Sequence, residues 1–294
     1  MKYVDAETVQ KKMNTRLFIN NFAKTIFLLS TIFGLVVLAV LVFRVLSQGA
    51  GWINVDFLTG RLSTSADRAG IFGAVLGTLW LMLVVAPVTM IIGVGTAIYL
   101  EAYAKKGRLQ SFIQANISNL AGVPSIVFGI LGLTIFVRAL DLGSVVLAGG
   151  LTMSLLVLPI VVVASQEAIR AVPAHLSEAS YGMGATKWQT IKNVILPAAL
   201  PGILTGAILS LSRAIGETAP LVVIGIPALL IPFPGGLMDR FTVLPMQIYY
   251  WTIDSALVAE YANLAAATII VLLFVLFMLN SIAVIIRNKF QKRY

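Results

Sequence analysis

The chain is 294 residues long, with 59% hydrophobic residues, 11% charged residues and a formal net charge of +9. Soluble domains carry roughly 25% charged residues, so this chain has too few charges to cover a water-facing surface, and lipid must be its solvent. The chain contains no Cys, which excludes disulfides, thiol nucleophiles and thiolate metal sites.

Residues 1–24 form a polar, partly helical lead that is too long for the n-region of a cleaved signal peptide, and no clean small-x-small site follows. Beyond it, the chain divides into long uncharged stretches. A helix needs about 20 apolar residues to cross a hydrocarbon core roughly 30 Å thick. The stretches 25–43, 69–100, 109–137, 142–166, 193–212 and 261–286 each meet or approach that length, which predicts six spans within a 25–286 membrane domain. Asn116, Ser118, Asn119 and Ser125 make the third of these unusually polar, and Pro124 is expected to kink it. A tight turn is expected near 141–143. A seventh uncharged stretch, 218–238, is broken by Pro220, Pro227, Pro232 and Pro234. Its first part reads as the end of the fifth span and the rest as a loop or re-entrant segment. An amphipathic stretch over 241–261 leads into the last span, and 287–294 is a basic tail.

Lys and Arg fix the orientation. With a cytoplasmic N-terminus, the inside segments hold 15 of them (among them Lys2, Lys24, Lys105, Lys106, Arg170, Lys187 and Arg287) and the outside segments hold 5. That bias predicts both termini inside. It also accounts for most of the excess positive charge, because those residues sit against anionic headgroups. A nucleic-acid partner is not needed to explain it. Gly73 with Gly77, and Gly202 with Gly206, place small residues four apart, a spacing that brings helix backbones close together.

The inside loop 167–197 reads as two short helices around a glycine turn. Pro173 suits the first turn of a helix, Gly182 and Gly184 can supply the left-handed end of one, and Thr186 with Gln189 makes a capping box for the next. Gly184 is expected to turn where a side chain would clash. Trp188, Ile191 and Ile195 are spaced to share one face. Such a knob suits either docking to a cytosolic partner or lying on the headgroups, and the residue pattern alone leaves both open. The lone His175 has no ligating neighbours in sequence and reads as a surface or interface residue.

In the fifth span, Arg213 and Glu217 are the only charges away from a span edge. A charge near mid-bilayer costs roughly 2.5–3.5 kcal/mol on insertion scales, so such residues face a bundle interior or a water path. Their i, i+4 spacing would let them pair. Transport of an anion on the guanidinium and a buried ion pair that fixes helix register are both consistent with this spacing. No nucleotide site is visible, because the run from Gly182 to Lys187 lacks the G-x-x-x-x-G-K-[ST] spacing.

Glu178-Ala179-Ser180, Gly184 six residues after Glu178, and Ile195-Leu196-Pro197 eleven after the glycine resemble the E-A-A…G…I-x-L-P loop of ABC-type importer permeases. Ser180 departs mildly from the third position. Three further runs, Ala121 to Gly129, Arg213 to Leu221 and Phe241 to Tyr249, resemble the phosphate-specific branch, and within it the A-type (PstA-like) subunits rather than their C-type partners. The likeness extends over about residues 20–290. It implies an all-α integral membrane protein with a type I ABC-importer permease fold in a prokaryotic inner membrane. It further implies a heterodimer with a second, related permease, two cytosolic ATPase subunits and an external phosphate-binding protein. Glu178, Ala179, Gly184, Ile195 and Pro197 would then form the ATPase coupling loop, and Arg213 with Glu217 would line the path. ATP and Mg would be bound by the partner ATPase, and no cofactor or catalytic residue is expected in this chain. A permease for sulfate or molybdate, and a stand-alone channel, are the rival expectations.

Overall fold

The structure is a computed structural model that describes residues 6–227 and 233–290. Lys2, Pro232, Lys292 and Arg293 lie outside the described residues. Among the described residues twelve α-helices follow one another. α1 is Ala6–Gly49, α2 Val55–Thr59, α3 Phe72–Ile98, α4 Arg108–Leu120, α5 Ser125–Gly132 and α6 Val146–Arg170. Then come α7 Ala174–Gly182, α8 Lys187–Thr190, α9 Leu196–Gly216, α10 Ala219–Val223, α11 Leu244–Asp254 and α12 Glu260–Phe290. Single π-helical turns extend α3 (Tyr99–Tyr103) and α5 (Leu133–Ala139), and another joins α8 to α9 (Ile191–Ile195). The boundaries drawn at residues 24 and 286 both fall inside helices, since α1 and α12 run through them unbroken.

Among the described residues five helices are long and apolar enough to cross a membrane: Thr15–Trp52, Phe72–Tyr103, Val146–Arg170, Lys187–Gly216 and Glu260–Lys289. The remaining expected span, 109–137, falls on a sharply bent pair of helices that would make a sixth if the two are one span. Arg108–Leu120 and Ser125–Ala139 meet at 104°. The break falls on Ala121–Pro124, where Pro124 is extended at φ −55°, ψ 136°. Proline lacks the N–H that would continue a helix and disfavours helical geometry in the residue before it. The polar residues Asn116, Ser118 and Asn119 therefore sit on a separate helix, α4, while Ser125 opens α5.

The core lies where α3 and α6 pack along their lengths, with α9 against the other side of α6. Leu81, Val85, Met153 and Val157 interlock there, together with Phe241 and Met246 from the outer segment. The small residues are at contacts: a Cβ on Gly77 would meet the Thr242 carbonyl, and one on Gly206 would meet the Ala164 side chain. These glycines hold fixed, close-packed seams.

The described part of 218–238 and its continuation is partly buried and partly exposed, with Leu237 and Met238 at 38% and 61% exposure. Leu221, Ile224, Ile226, Phe241, Val243 and Leu244 are all at most 2% exposed. α10 crosses α5 so closely that a Cβ on Gly129 would lie 2.8 Å from the Pro220 Cα. Buried irregular backbone must find hydrogen bonds, and it finds them on helix ends. Val146 N donates to the Asp239 carbonyl (3.0 Å) and Leu147 N to that of Leu237 (2.9 Å), which satisfies N–H groups left free at the start of α6. The Tyr250 hydroxyl donates to the Ile226 carbonyl at 3.0 Å, and burial pushes this phenol above its usual pKa, so it stays a donor. The turn at Asp141 and Gly143 forms as expected, with φ of 50° and 74°.

Candidate functional site: the two-helix knob, its polar network and the α9 stripe

The knob in the loop 167–197 consists of α7, a turn and α8. Gly184 adopts φ +83°, the left-handed region that glycine enters without a Cβ penalty. No atom lies within 4 Å of where its Cβ would sit, so conformation rather than a clash demands glycine here. Gly182 ends α7 without a positive φ. Thr186 caps α8 as expected: Gln189 N donates to Thr186 Oγ1 at 3.4 Å, and Thr186 N donates to Gln189 Oε1 at 2.8 Å. The two helices are tied by Ser180 and Thr190, whose hydroxyls are 2.9 Å apart. Ser180, the departure from the loop pattern, thus makes a hydrogen bond that alanine could not.

The shared apolar face expected of Trp188, Ile191 and Ile195 does not form. Trp188 is 57% exposed and Ile191 only 2%. Trp188 lies on the exposed side of α8, and the π-helical turn Ile191–Ile195 falls between Ile191 and Ile195, where it shifts the spacing of that pair. What the knob presents to solvent is Tyr181, Met183 and Trp188, with Met183 at 89% exposure. Glu178, Ala179 and Gly184 are exposed beside them, while Ile195 and Pro197 are half-buried at the root of α9. His175 is exposed, and no group of acidic and His residues able to hold a metal occurs among the described residues.

Beneath the knob is a polar network that the run of uncharged residues hides. Glu101 Oε1 accepts from Arg170 (2.7 Å) and from Gln166 Nε2 (3.0 Å). Gln166, 1% exposed, and Gln114 exchange both of their side-chain amide hydrogen bonds, at 3.1 and 2.9 Å. Arg170 also bonds Glu167 at 2.9 Å. The carboxylate joins the π-helical extension of α3 to the end of α6, and Gln166 carries the link on to α4.

Arg213 and Glu217 do not pair. Among the described residues the ion pairs are Arg170 with Glu101 and with Glu167. α9 ends at Gly216, and Glu217 is extended at φ −84°, ψ 126°, so the i, i+4 helical geometry that would bring the two charges together is interrupted. Ala207, Ser210, Ala214 and Ile215 of α9 are buried. Gly202, Leu209, Arg213 and Gly216 form the exposed stripe, and Glu217 is half-buried just beyond it.

Long apolar helices, a sharply bent helix pair and a two-helix knob between the fourth and fifth expected spans define a multi-pass membrane protein. The family described as "binding-protein-dependent transport system inner membrane component" matches residues 90–293. The chain belongs to that family. It is 34% identical to the probable ABC transporter permease protein YqgI of Bacillus subtilis over 178 residues, 60% of each chain; it thus spans less than two thirds of that relative. It is 36% identical to the phosphate transport system permease protein PstA 1 of Mycobacterium tuberculosis over 211 residues, 70% of this chain and 68% of that one. The fold is shared with the crystal structure of a bacterial alginate ABC transporter in complex with an alginate-pentasaccharide-bound periplasmic protein. There the TM-score is 0.64 and the identity 17%, over 92% of this chain and 94% of the other.

Proposed function

We propose that this chain is the A-type permease subunit of an ATP-driven importer of inorganic phosphate, forming half of the translocation path. The observation that carries the reading is Arg213, exposed on the apolar fifth span with no ion-pair partner among the described residues. Facing lipid it would be costly, so the α9 stripe faces a path shared with a second, related permease. There its guanidinium offers the planar fork that matches phosphate oxygens. The naming of the mycobacterial relative as a phosphate permease supports the choice of substrate.

Two cytosolic ATPase subunits complete the assembly, one docking on the knob through Glu178, Ala179 and Gly184 and the aromatic tip around Trp188. Ile195 and Pro197 carry the knob's displacement into α9. ATP and Mg belong to those ATPases, this chain is not catalytic, and both termini are cytoplasmic. An external phosphate-binding protein delivers the anion, as the periplasmic protein seated on the alginate transporter suggests.

Reconstitution of the chain with its second permease, ATPase and binding protein in proteoliposomes tests the reading. ATP-dependent uptake of labelled phosphate, not displaced by sulfate or molybdate, is the expected result. Uptake by this chain alone without ATP would make it a channel, and preferential sulfate or molybdate uptake would reassign the substrate.

A further inference from the structure

We propose that Glu101 is a positioning residue that couples the inside knob to α4, and that α4 is the mobile inner gate of this half of the path; the inference rests on the reading of the chain as an importer permease. α4 is built to move. It packs chiefly against α6, and its residues are otherwise exposed or half-exposed. It is bounded on one side by an extended Gly107 and on the other by the 104° break before α5. The side-chain bonds that tie it to the bundle are the two between Gln114 and Gln166. Gln166 in turn is held by Glu101.

The other side of Glu101 faces the knob. A cavity of about 310 Å³ separates them, with Glu101 and Ala102 on one wall and Tyr181, Lys187 and Ile191 on the other. π-helical turns, where the helical hydrogen-bond ladder is already rearranged, form part of both walls: Tyr99–Tyr103 and Ile191–Ile195. Lys187 already reaches across, with its Nζ 4.9 Å from the centre of the Tyr103 ring. Both protein bonds to the Glu101 carboxylate fall on Oε1, which leaves Oε2 available to a second cation among the described residues. Movement of the knob into the cavity brings the Lys187 ammonium to this carboxylate in competition with Arg170 and Gln166. Gln166 is then released, its clasp on Gln114 loosens, and α4 swings. Two arrangements of one hydrogen-bonded hub are the kind of discrete switch through which distant sites can be coupled.

The chain lacks Cys, so spin labels placed at His175→Cys on the knob and Ser118→Cys on α4 report this motion directly. The assembled transporter, with other chains free of reactive cysteine, is measured without nucleotide and with ATP trapped. A distance change on ATP binding is expected in the otherwise unaltered chain. It is expected to vanish in Gln114→Leu and Glu101→Gln while ATP hydrolysis persists, and phosphate uptake per ATP should fall at least about fivefold, the low end of inter-site couplings. Glu101→Asp, which keeps the charge, should recover part of both. Gln114→Leu alters only a half-buried side chain on α4, so its assembly provides a reading if Glu101→Gln fails to assemble. An unchanged label distance shift in Gln114→Leu, or uptake and hydrolysis falling in proportion, overturns the proposal. Normal label movement in a complex that takes up no phosphate would count against the phosphate reading and leave the coupling intact.

Discussion

Gln114 and Gln166 face each other as a reciprocal amide pair, each donating to the other's carbonyl oxygen, with the second Gln166 N–H given to Glu101. Gln166 thereby satisfies its whole side chain at 1% exposure, which is what allows a polar amide to stay in an apolar wall. Replacing it with leucine keeps most of the volume but leaves Gln114 without either bond and removes one of the two bonds on the Glu101 carboxylate. Gln166→Leu should cost about 1–3 kcal/mol, the desolvation penalty of groups left unmade, seen as a lower thermal midpoint of the purified chain in detergent. A midpoint equal to that of the unaltered chain would mean that water replaces the lost partners.

Gly184 offers a cleaner separation of causes, because space around it is open and only its φ of +83° is demanding. A side chain there pays roughly 1–2 kcal/mol for left-handed geometry, and asparagine tolerates that region better than most residues. Gly184→Asn should therefore retain ATPase co-purification, while Gly184→Val should lower it several-fold without affecting membrane insertion. Equal loss in both variants would point to steric exclusion by a partner instead of backbone strain.

The distribution of Lys and Arg predicts that Ser63 lies outside and Lys106 inside. Single cysteines at these positions, labelled in intact cells by an impermeant maleimide, should react at Ser63→Cys and stay protected at Lys106→Cys until the membrane is permeabilised. Reversal of that pattern would invert the topology and put the knob on the wrong face for a cytosolic ATPase.

The spans, the turn at Asp141 and the Thr186 capping box were all legible, because each is written in local composition or spacing. The network around Glu101 was not. Gln114 and Gln166 are uncharged, so a division of the chain at its charges passes over them, and they lie 52 positions apart with nothing local to mark their meeting. Trp188 and Ile191 do not share a face, because burial of Ile191 beneath the knob and exposure of Trp188 are set by tertiary packing that i, i+3 spacing does not record, and the π-helical turn that follows shifts Ile195 relative to Ile191. The break at Pro124 was visible as a kink, but its size of 104° depends on how α5 packs against α10 and α6, a tertiary matter. The segment after Glu217 reads as a loop or re-entrant segment because of its prolines; Leu221, Ile224 and Ile226 are nonetheless as buried as any residue in the bundle, while Leu237 and Met238 are exposed.

Arg213 bears on the role of the path itself. Were Arg213 and Glu217 a buried ion pair, removing one charge would strand the other and destabilise the chain by a few kcal/mol. No such pair exists among the described residues, because α9 terminates between them. Arg213→Gln should therefore leave assembly intact. Its effect should fall on uptake, reduced about ten- to hundredfold if charge-assisted hydrogen bonds worth roughly 1.5–3 kcal/mol are lost to the anion. Lysine restores the charge but not the two-pronged geometry, so Arg213→Lys should recover uptake only in part. The double variant Arg213→Gln with Glu217→Gln decides between the roles. With no ion pair to rebalance, it should transport no better than Arg213→Gln alone when uptake is normalised to assembled complex. Full recovery in the double variant would show that the two charges do meet in the assembled transporter, and that Arg213 holds α9 in place instead of handling phosphate.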